Sequence, residues 1–546
     1  MGALMTLVGL YLVVTLALPL GLMLAKSLQG PEGAFVGAAN YVQYFSTPSL
    51  FQSIGNSLFV SLVSTAITVP LAFVYAYALT RSCMPLRGFF KSVALVPILV
   101  PSLLPGIGLV YLFGNQGLLK GLLFGQRIYG PIGIVMAEVF FTFPHALLIM
   151  VTALSLADAR LYEAAIALRA RRPRIFWTVT VPGARYGLVS AAFVVFTMVI
   201  TDFGAPKVIG GQYGVLATDV YKQVIGQQNF EMGAVVSVLL LIPAAFAFAV
   251  DHVARRRQVA LLSARAVPYV PRPQRGFDLA MLAGCVLVGV YILGIVVVSQ
   301  YAALVTFFPY NLSLTLAHYD FDRKGGGGWL SYRNSIEMAL WTAVAGTAIV
   351  FAGAYLVEKG RGFAPIRATV QFLAMIPMAV PGLVLGLAYI FFFNHPANPL
   401  NSLYRTMSIL VINTVVHFYT VAHLTAVTAL KQMDPEFETV SASLKQPFYR
   451  TFSRVTVPVC LPTILDIGIY LFVNAMTTVS GVVFLYGPRT ELASVSVLNM
   501  DDTGEIASAA AMAMMIFYTN VGARTLQAGL ARGLERRTQA WRRRDA

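Results

Sequence analysis

The sequence predicts an all-α integral membrane protein of about twelve transmembrane helices, arranged as two parallel six-helix repeats. Three observations carry that expectation. Of 546 residues, 58% are hydrophobic and only 11% are charged, whereas soluble domains carry about 25% charged residues. Apolar runs recur at about 20 residues, the length a helix needs to cross a bilayer. The two halves of the chain also repeat one another.

The runs lie at roughly 3–25, 57–79, 90–113, 131–155, 187–206, 232–253, 278–300, 336–357, 368–393, 407–430, 462–486 and 506–528. The first, Leu4 to Ala25, has no Lys or Arg before or within it. A cleaved secretory signal needs a basic start, so the run is read as a transmembrane helix. Backbone groups in hydrocarbon must be satisfied within the chain. Runs this long and this apolar exclude the alternating strands of a barrel. Pro97, Pro101 and Pro105, with Pro377 and Pro381, are expected to kink the third and ninth runs.

Orientation follows from Lys and Arg, which concentrate in cytoplasmic loops. The loops after even-numbered runs, with the C-terminal tail, hold 29 of the 39 basic residues. Both termini are therefore expected on the cytoplasmic side. The net charge of +16 sits in these short loops, so nucleic acid is not an expected partner. The three cysteines, Cys83, Cys285 and Cys460, form no C-x-x-C pair and are odd in number. A disulfide framework is not expected.

The repeat keeps its register through polar and proline markers. Asn56-Ser57 recurs as Asn334-Ser335 at an offset of 278, and Ala76-Tyr77 as Ala354-Tyr355. Pro97, Pro101 and Gly106 recur as Pro377, Pro381 and Gly386, at 280. Val179-Thr180-Val181-Pro182 recurs as Val455-Thr456-Val457-Pro458, at 276. The halves are assigned as 1–254 and 278–546, with 255–277 as a cytoplasmic linker rich in arginine and proline. Parallel repeats imply a pseudo-two-fold axis along the membrane normal, with a path on it. The Gly325–Gly328 run gives a mobile loop and is assigned no site.

Two loops carry the mechanism. Residues 158–182 read DARLYEAAIALRARRPRIFWTVTVP, and residues 434–458 read DPEFETVSASLKQPFYRTFSRVTVP. Each is a run of helix formers followed by an aromatic residue, V-T-V and proline. Ala164, Ala165 and Leu168 stand three and four apart, on one helix face. An ordinary amphipathic helix on the membrane surface would not explain two copies at matched positions.

The first loop resembles the EAA motif of ABC-importer permeases, with Glu163-Ala164-Ala165 at its head and Pro182 at its end. The resemblance covers both halves and implies the type I ABC-importer permease fold. It implies that each segment is a coupling helix docked on a cytoplasmic ATPase. The residues carried over are Glu163, Ala164, Ala165, Leu168 and Pro182. From the second loop they are Glu438, Val440, Leu444 and Pro458. Two departures stand out: the family usually has Gly where this chain has Arg169 and Lys445, and Thr439 stands where Glu163 does.

No G-x-x-x-x-G-K-[ST] occurs, so ATP and Mg are expected on two copies of a separate ATPase subunit and no cofactor on this chain. The other implied partner is a periplasmic or extracellular substrate-binding protein, at a bacterial inner membrane. Polar groups at membrane depth include Glu138 and His145 in the fourth run and His417 and His423 in the tenth: Glu138 and Asp202 stand close enough to the outer face to snorkel or cap, and His417 and His423 are six apart, without metal spacing. Asp202, Asn474, Thr477 and Thr478 are the candidates for lining the path. The strings TDFGAPKVIGG (201–211), LATDVYKQVIGQQNFEMGA (216–234), NAMTTVSGVVFLYGP (474–488) and LASVSVLNMDD (492–502) resemble 2-aminoethylphosphonate transporter permeases. Ferric iron or thiamine is the alternative cargo. An ion-coupled secondary transporter is the rival class, but it would have no use for duplicated coupling loops. A membrane-embedded enzyme would need convergent catalytic groups, which the six histidines do not supply.

Overall fold

A computed structural model describes residues 1–260, 267, 269–323, 326–360, 362–434 and 436–538. Of the features read from sequence, Pro268 of the linker, Gly325 of the glycine run, and the last arginines of the tail, Arg542, Arg543 and Arg544, lie outside the described residues.

The structure is mostly helical, with one short two-stranded sheet among the described residues. Among the described residues, seven helices are long and apolar enough to cross a membrane unbroken: Gly2–Lys26, Pro48–Arg81, Pro131–Ser155, Phe230–Ala254, Arg275–Leu304, Gly328–Lys359 and Ile506–Leu534. Five further spans are bent pairs, giving up to twelve. They are numbered here as spans 1–12 in chain order, with spans 3, 5, 9, 10 and 11 broken.

The sharpest breaks fall where the prolines cluster. Span 3 is Arg87–Leu99 followed by Leu103–Phe113, turned by 107°. Span 9 is Ala364–Ala379 followed by Gly382–Phe393, turned by 116°. A proline drives the residue before it out of the helical region. Val100 and Val380 are extended accordingly, with ψ of 149° and 115°. A turn of this size exceeds a kink: the first limb ends and a new helix begins. Span 10 breaks by 56° at Phe418 with no proline there, whereas span 4 carries Pro144 and stays a single helix.

The chain forms two compact units that cut across chain order. One comprises Met1–Asn40, Phe230–Ala234 and Tyr319–Ala546; the other comprises Tyr41–Asn229 and Val235–His318. The first unit packs span 1 with spans 8–12. Its core joins Met5 and Leu12 of span 1 to Val350, Tyr355, Val370, Tyr419 and Leu471. The second unit packs span 7 with spans 2–6. There a Cβ on Gly108 of span 3 would lie 2.8 Å from the Ile295 side chain of span 7, so only glycine permits the approach. The opening span of each repeat thus joins the unit built from the other repeat's remaining spans.

The Asn-Ser pair that marks the repeat has one task in both units. Leu216 N–H donates to Ser57 Oγ (2.8 Å), and Ala493 N–H donates to Ser335 Oγ (2.7 Å). Each is the first residue of a short helix, Leu216–Tyr221 or Ala493–Asp502, whose opening N–H groups lack helical partners. Asn56 donates to Gly214 O (2.9 Å), and Asn334 to Arg489 O and Glu491 O (3.0 and 2.9 Å). The recurring pair therefore pins a connecting loop to span 2 or span 8.

Candidate functional site

The two motif segments fold alike. Asp158 Oδ1 accepts from Arg160 N–H (3.0 Å) and opens the helix Ala159–Ala167. Asp434 Oδ1 accepts from Glu436 N–H (2.9 Å) and opens Glu436–Ser443. These are side-chain caps on orphan helix donors. Each helix closes on a left-handed residue, Arg169 at φ 53° and Lys445 at φ 51°. The closing bonds match as well. Arg169 N–H reaches Ile166 O and Ala170 N–H reaches Ala165 O, at 2.9 and 3.0 Å. Lys445 N–H reaches Ala442 O and Gln446 N–H reaches Ser441 O, at 3.0 and 2.9 Å. This is the Schellman closure, which favours glycine at the left-handed position. The departure from glycine seen in sequence leaves the backbone turn intact and places two basic side chains in a conformation that costs about 1–2 kcal/mol.

After the turn, each segment forms a short helix and then a π-helical turn, Phe176–Thr180 or Phe452–Thr456. Pro182 and Pro458 follow, and lack the N–H that an α-helical bond would need. The helix then bends into span 5 by 63° and into span 11 by 77°. The aromatic residue of the motif locks this turn to the neighbouring long helix. Phe176 meets Phe73 and Tyr77 edge-on, at 5.8 and 5.7 Å. Phe452 meets Phe351 and Tyr355, at 6.0 and 4.8 Å. The Phe452 contacts are tilted and not edge-on; aromatic contacts of this kind add roughly 0.5–1.5 kcal/mol beyond burial.

A second attachment was not visible in the motif. Arg81, the last residue of span 2, is buried and donates to Leu154 O (2.6 Å). Its guanidinium lies over the Tyr162 and Tyr269 rings, 5.2 and 4.5 Å from their centroids. Tyr162 OH in turn donates to Thr180 Oγ1 (3.1 Å). In the other unit Lys359, the last residue of span 8, pairs with Glu438 at 2.8 Å. Arg81 and Lys359 are 278 apart, and Tyr162 and Glu438 are 276 apart. The repeat offset was the available signal for both pairs.

Each helix exposes a set of apolar side chains. Leu161, Ala164, Ile166 and Leu168 are exposed on the first helix, Leu168 at 82%. Phe437, Val440 and Leu444 are exposed on the second, Leu444 at 65%. Glu163 lies beside this face and is exposed, Ala165 is half-buried, and Pro182 and Pro458 are exposed. Glu438 differs from the rest of the set: it is turned inward to Lys359.

The candidate path residues fall at two matched helix ends. Asp202 terminates the helix Arg185–Thr201, and Thr478 terminates Leu461–Thr477, with nearly identical backbone angles. Asp202 Oδ2 accepts from Ala205 N–H (2.9 Å), a capping bond, and Thr478 O accepts from Ser494 Oγ (2.6 Å). Asn474 and Thr477 donate to Tyr470 O and Val473 O of their own helix, at 2.8 and 3.0 Å. At each end a glycine and a serine meet in reversed roles. Gly204 abuts Ser102 of span 3, and Ser480 abuts Gly382 of span 9. Glu138 is not exposed as a snorkelling carboxylate would be. It is wholly buried beside Asp202. Its counterpart at the 276 offset, Thr414, bonds back to Leu410 O (2.7 Å).

Among the described residues, no three His, Cys, Asp or Glu side chains converge as metal ligands. The fold and the duplicated segments define a polytopic permease built from two tandem transport repeats. The chain belongs to the binding-protein-dependent transport system inner membrane component family, whose profile matches residues 68–259 and 338–536. It is therefore a multi-pass inner-membrane component of a binding-protein-dependent ABC importer. It is 26% identical over 515 residues to the ferric transport system permease protein FbpB of Actinobacillus pleuropneumoniae, covering 89% of this chain and 73% of that protein. It is 24% identical over 511 residues to the Fe(3+)-transport system permease protein FbpB 2 of Haemophilus influenzae, covering 92% and 94%. A shorter match, 29% over 168 residues, joins 28% of this chain to 69% of the molybdenum transport system permease protein ModB of Escherichia coli.

Proposed function

We propose that this chain is a translocation subunit of an ATP-driven importer, its two motif segments docking two copies of a cytoplasmic ATPase. One observation carries the reading. A capped helix with an exposed apolar stripe, closed by a left-handed residue and hinged through a π turn into a span, occurs twice at one register. Exposed apolar side chains on short polar-flanked helices mark a protein contact. The ATPase carries ATP and Mg, and its closure moves these segments. The π turns and bends pass that movement into spans 5 and 11. Both termini face the cytoplasm, in keeping with the basic loops. A periplasmic or extracellular binding protein delivers cargo to the opposite side. Asp202, Asn474, Thr477 and Thr478 stand at helix ends remote from the motif segments and are assigned to the path.

For the cargo, the strings at 201–234 and 474–502 favour 2-aminoethylphosphonate. Ferric iron is the second reading, favoured by the named cargo of relatives that match most of this chain. Uptake of labelled 2-aminoethylphosphonate and of ferric iron, in cells with and without the gene, separates them. Loss of phosphonate uptake alone supports the first reading. Loss of iron uptake alone overturns it in favour of the second.

A further inference from the structure

The chain from Asn311 to Leu316 alternates strictly, Asn-Leu-Ser-Leu-Thr-Leu. That is the pattern of a strand with one covered apolar face. In the structure it forms a hairpin directly after span 7. Strand β1 is Val305–Phe307 and strand β2 is Asn311–Leu314, antiparallel, with Val305 opposite Leu314 and Phe307 opposite Asn311. The polar side chains bond within the hairpin: Thr306 Oγ1 donates to Ser313 O (2.9 Å). The leucines are bare. Leu314 is 76% exposed and Leu316 72%, with Leu312, Phe307 and Tyr310 also exposed. The hairpin is nonetheless anchored. Phe308 packs edge-on against Tyr111 at 5.4 Å, and Gln116 Nε2 donates to Tyr310 OH (2.8 Å).

Three further observations identify what covers this face. No Asp, Glu, Lys or Arg occurs from Leu279 to Tyr319. Span 7 carries its own exposed stripe, Leu287, Val290 and Val297, which runs toward the hairpin. Depth follows from the helix rise. The apolar run from Leu279 to Val298 alone crosses about 30 Å of hydrocarbon at about 1.5 Å per residue. Leu304 then lies about 9 Å further along, in the headgroup layer. Amphipathic elements seat their apolar face about 5–10 Å into that boundary, and tyrosine is favoured there.

We propose that the 305–316 hairpin is a membrane-surface anchor. Its Leu312, Leu314 and Leu316 face lies in the headgroup–acyl boundary of the leaflet remote from the motif segments. It extends the lipid contact of span 7 and holds that span's end at a set depth. The occupant is lipid; a soluble protein seated on the leucines is the competing outcome.

The test uses the full chain in phosphatidylethanolamine–phosphatidylglycerol nanodiscs. Leu314→Cys and Ser313→Cys are each made with Cys83→Ser; Cys285 and Cys460 are buried. A nitroxide is attached, and its collision rates with oxygen and with a water-soluble nickel chelate are measured. Lipid burial predicts a higher oxygen-to-nickel ratio at 314 than at 313, although the two are adjacent. Equal ratios, with nickel reaching both sites freely, overturn the anchor. So does protection of site 314 from both reagents, which means a protein cover. Leu312→Cys repeats the measurement if Leu314→Cys does not yield monodisperse protein.

Discussion

The two motif segments share a backbone and differ in how they are fastened. Capping aspartate, left-handed closure, π turn and aromatic lock recur one for one. The tie to the preceding long helix does not. In one unit it is a guanidinium stacked on Tyr162 and Tyr269 and bonded to Leu154 O; in the other it is the Lys359–Glu438 ion pair. Backbone geometry survives divergence because many local bonds determine it together. A fastening is one pair of side chains, and any pair that holds the same two helices together will serve. The consequence is an asymmetry: the first segment's tie rests on stacking and a buried hydrogen bond, and the second's on an ion pair that responds weakly to salt. The same pattern recurs where span 6 meets span 5 and span 12 meets span 11. Ser190 donates to Asp251 in one unit, and Gln527 donates to Asp466 at 2.8 Å in the other.

Substitutions test the difference between the two segments. The largest effect on transport is expected from a charge placed on the docking helices. Ala165→Glu or Val440→Glu should lower co-purification with the ATPase and transport by at least tenfold, equivalent to about 1.4 kcal/mol. Membrane insertion should be unchanged. Equal ATPase recovery from both variants and the wild type would remove the docking role. Next, Arg81→Leu deletes a buried charged hydrogen bond and a stacked cation. Thermal unfolding in detergent should show a loss of about 2–4 kcal/mol, with little dependence on salt. Glu438→Gln should cost less, about 1 kcal/mol. The cost should shrink modestly in high salt, because the partners are only 12% and 19% exposed. A salt-independent loss there would erase the proposed difference between the ties. The smallest effect is of opposite sign. Arg169→Gly and Lys445→Gly should each stabilise by about 0.5 kcal/mol, as relief of the left-handed strain outweighs glycine's added chain entropy.

Much of this was legible in the sequence, for identifiable reasons. Span 4 was placed at 131–155 and is Pro131–Ser155, because hydrophobic length is what a membrane selects. Span 2 was read from 57 but begins at Pro48; its first turns lie beyond the apolar run, where hydropathy gives no signal. The prolines of spans 3 and 9 marked the right places but not the size of the turn, since proline excludes a helix without choosing what replaces it. The exchange of spans 1 and 7 between units was illegible: an apolar surface does not name its partner. At the site, the motif segments were readable because polar and proline markers kept register. Arg81 and Lys359 were not, since a basic residue at the end of a span is expected whatever it touches. Glu138 was read by its nearness to a surface, and the packing around it put it wholly inside.

The most direct test of the docking claim is disulfide trapping between this chain and its ATPase in membranes. Single cysteines replace Leu168 or Leu444, each paired with a cysteine scan of the ATPase surface. The account predicts that both positions trap the ATPase, at equivalent sites on two copies, and that the yield changes when ATP is added. Failure of both positions, with the ATPase still bound through some other part of the chain, would contradict it.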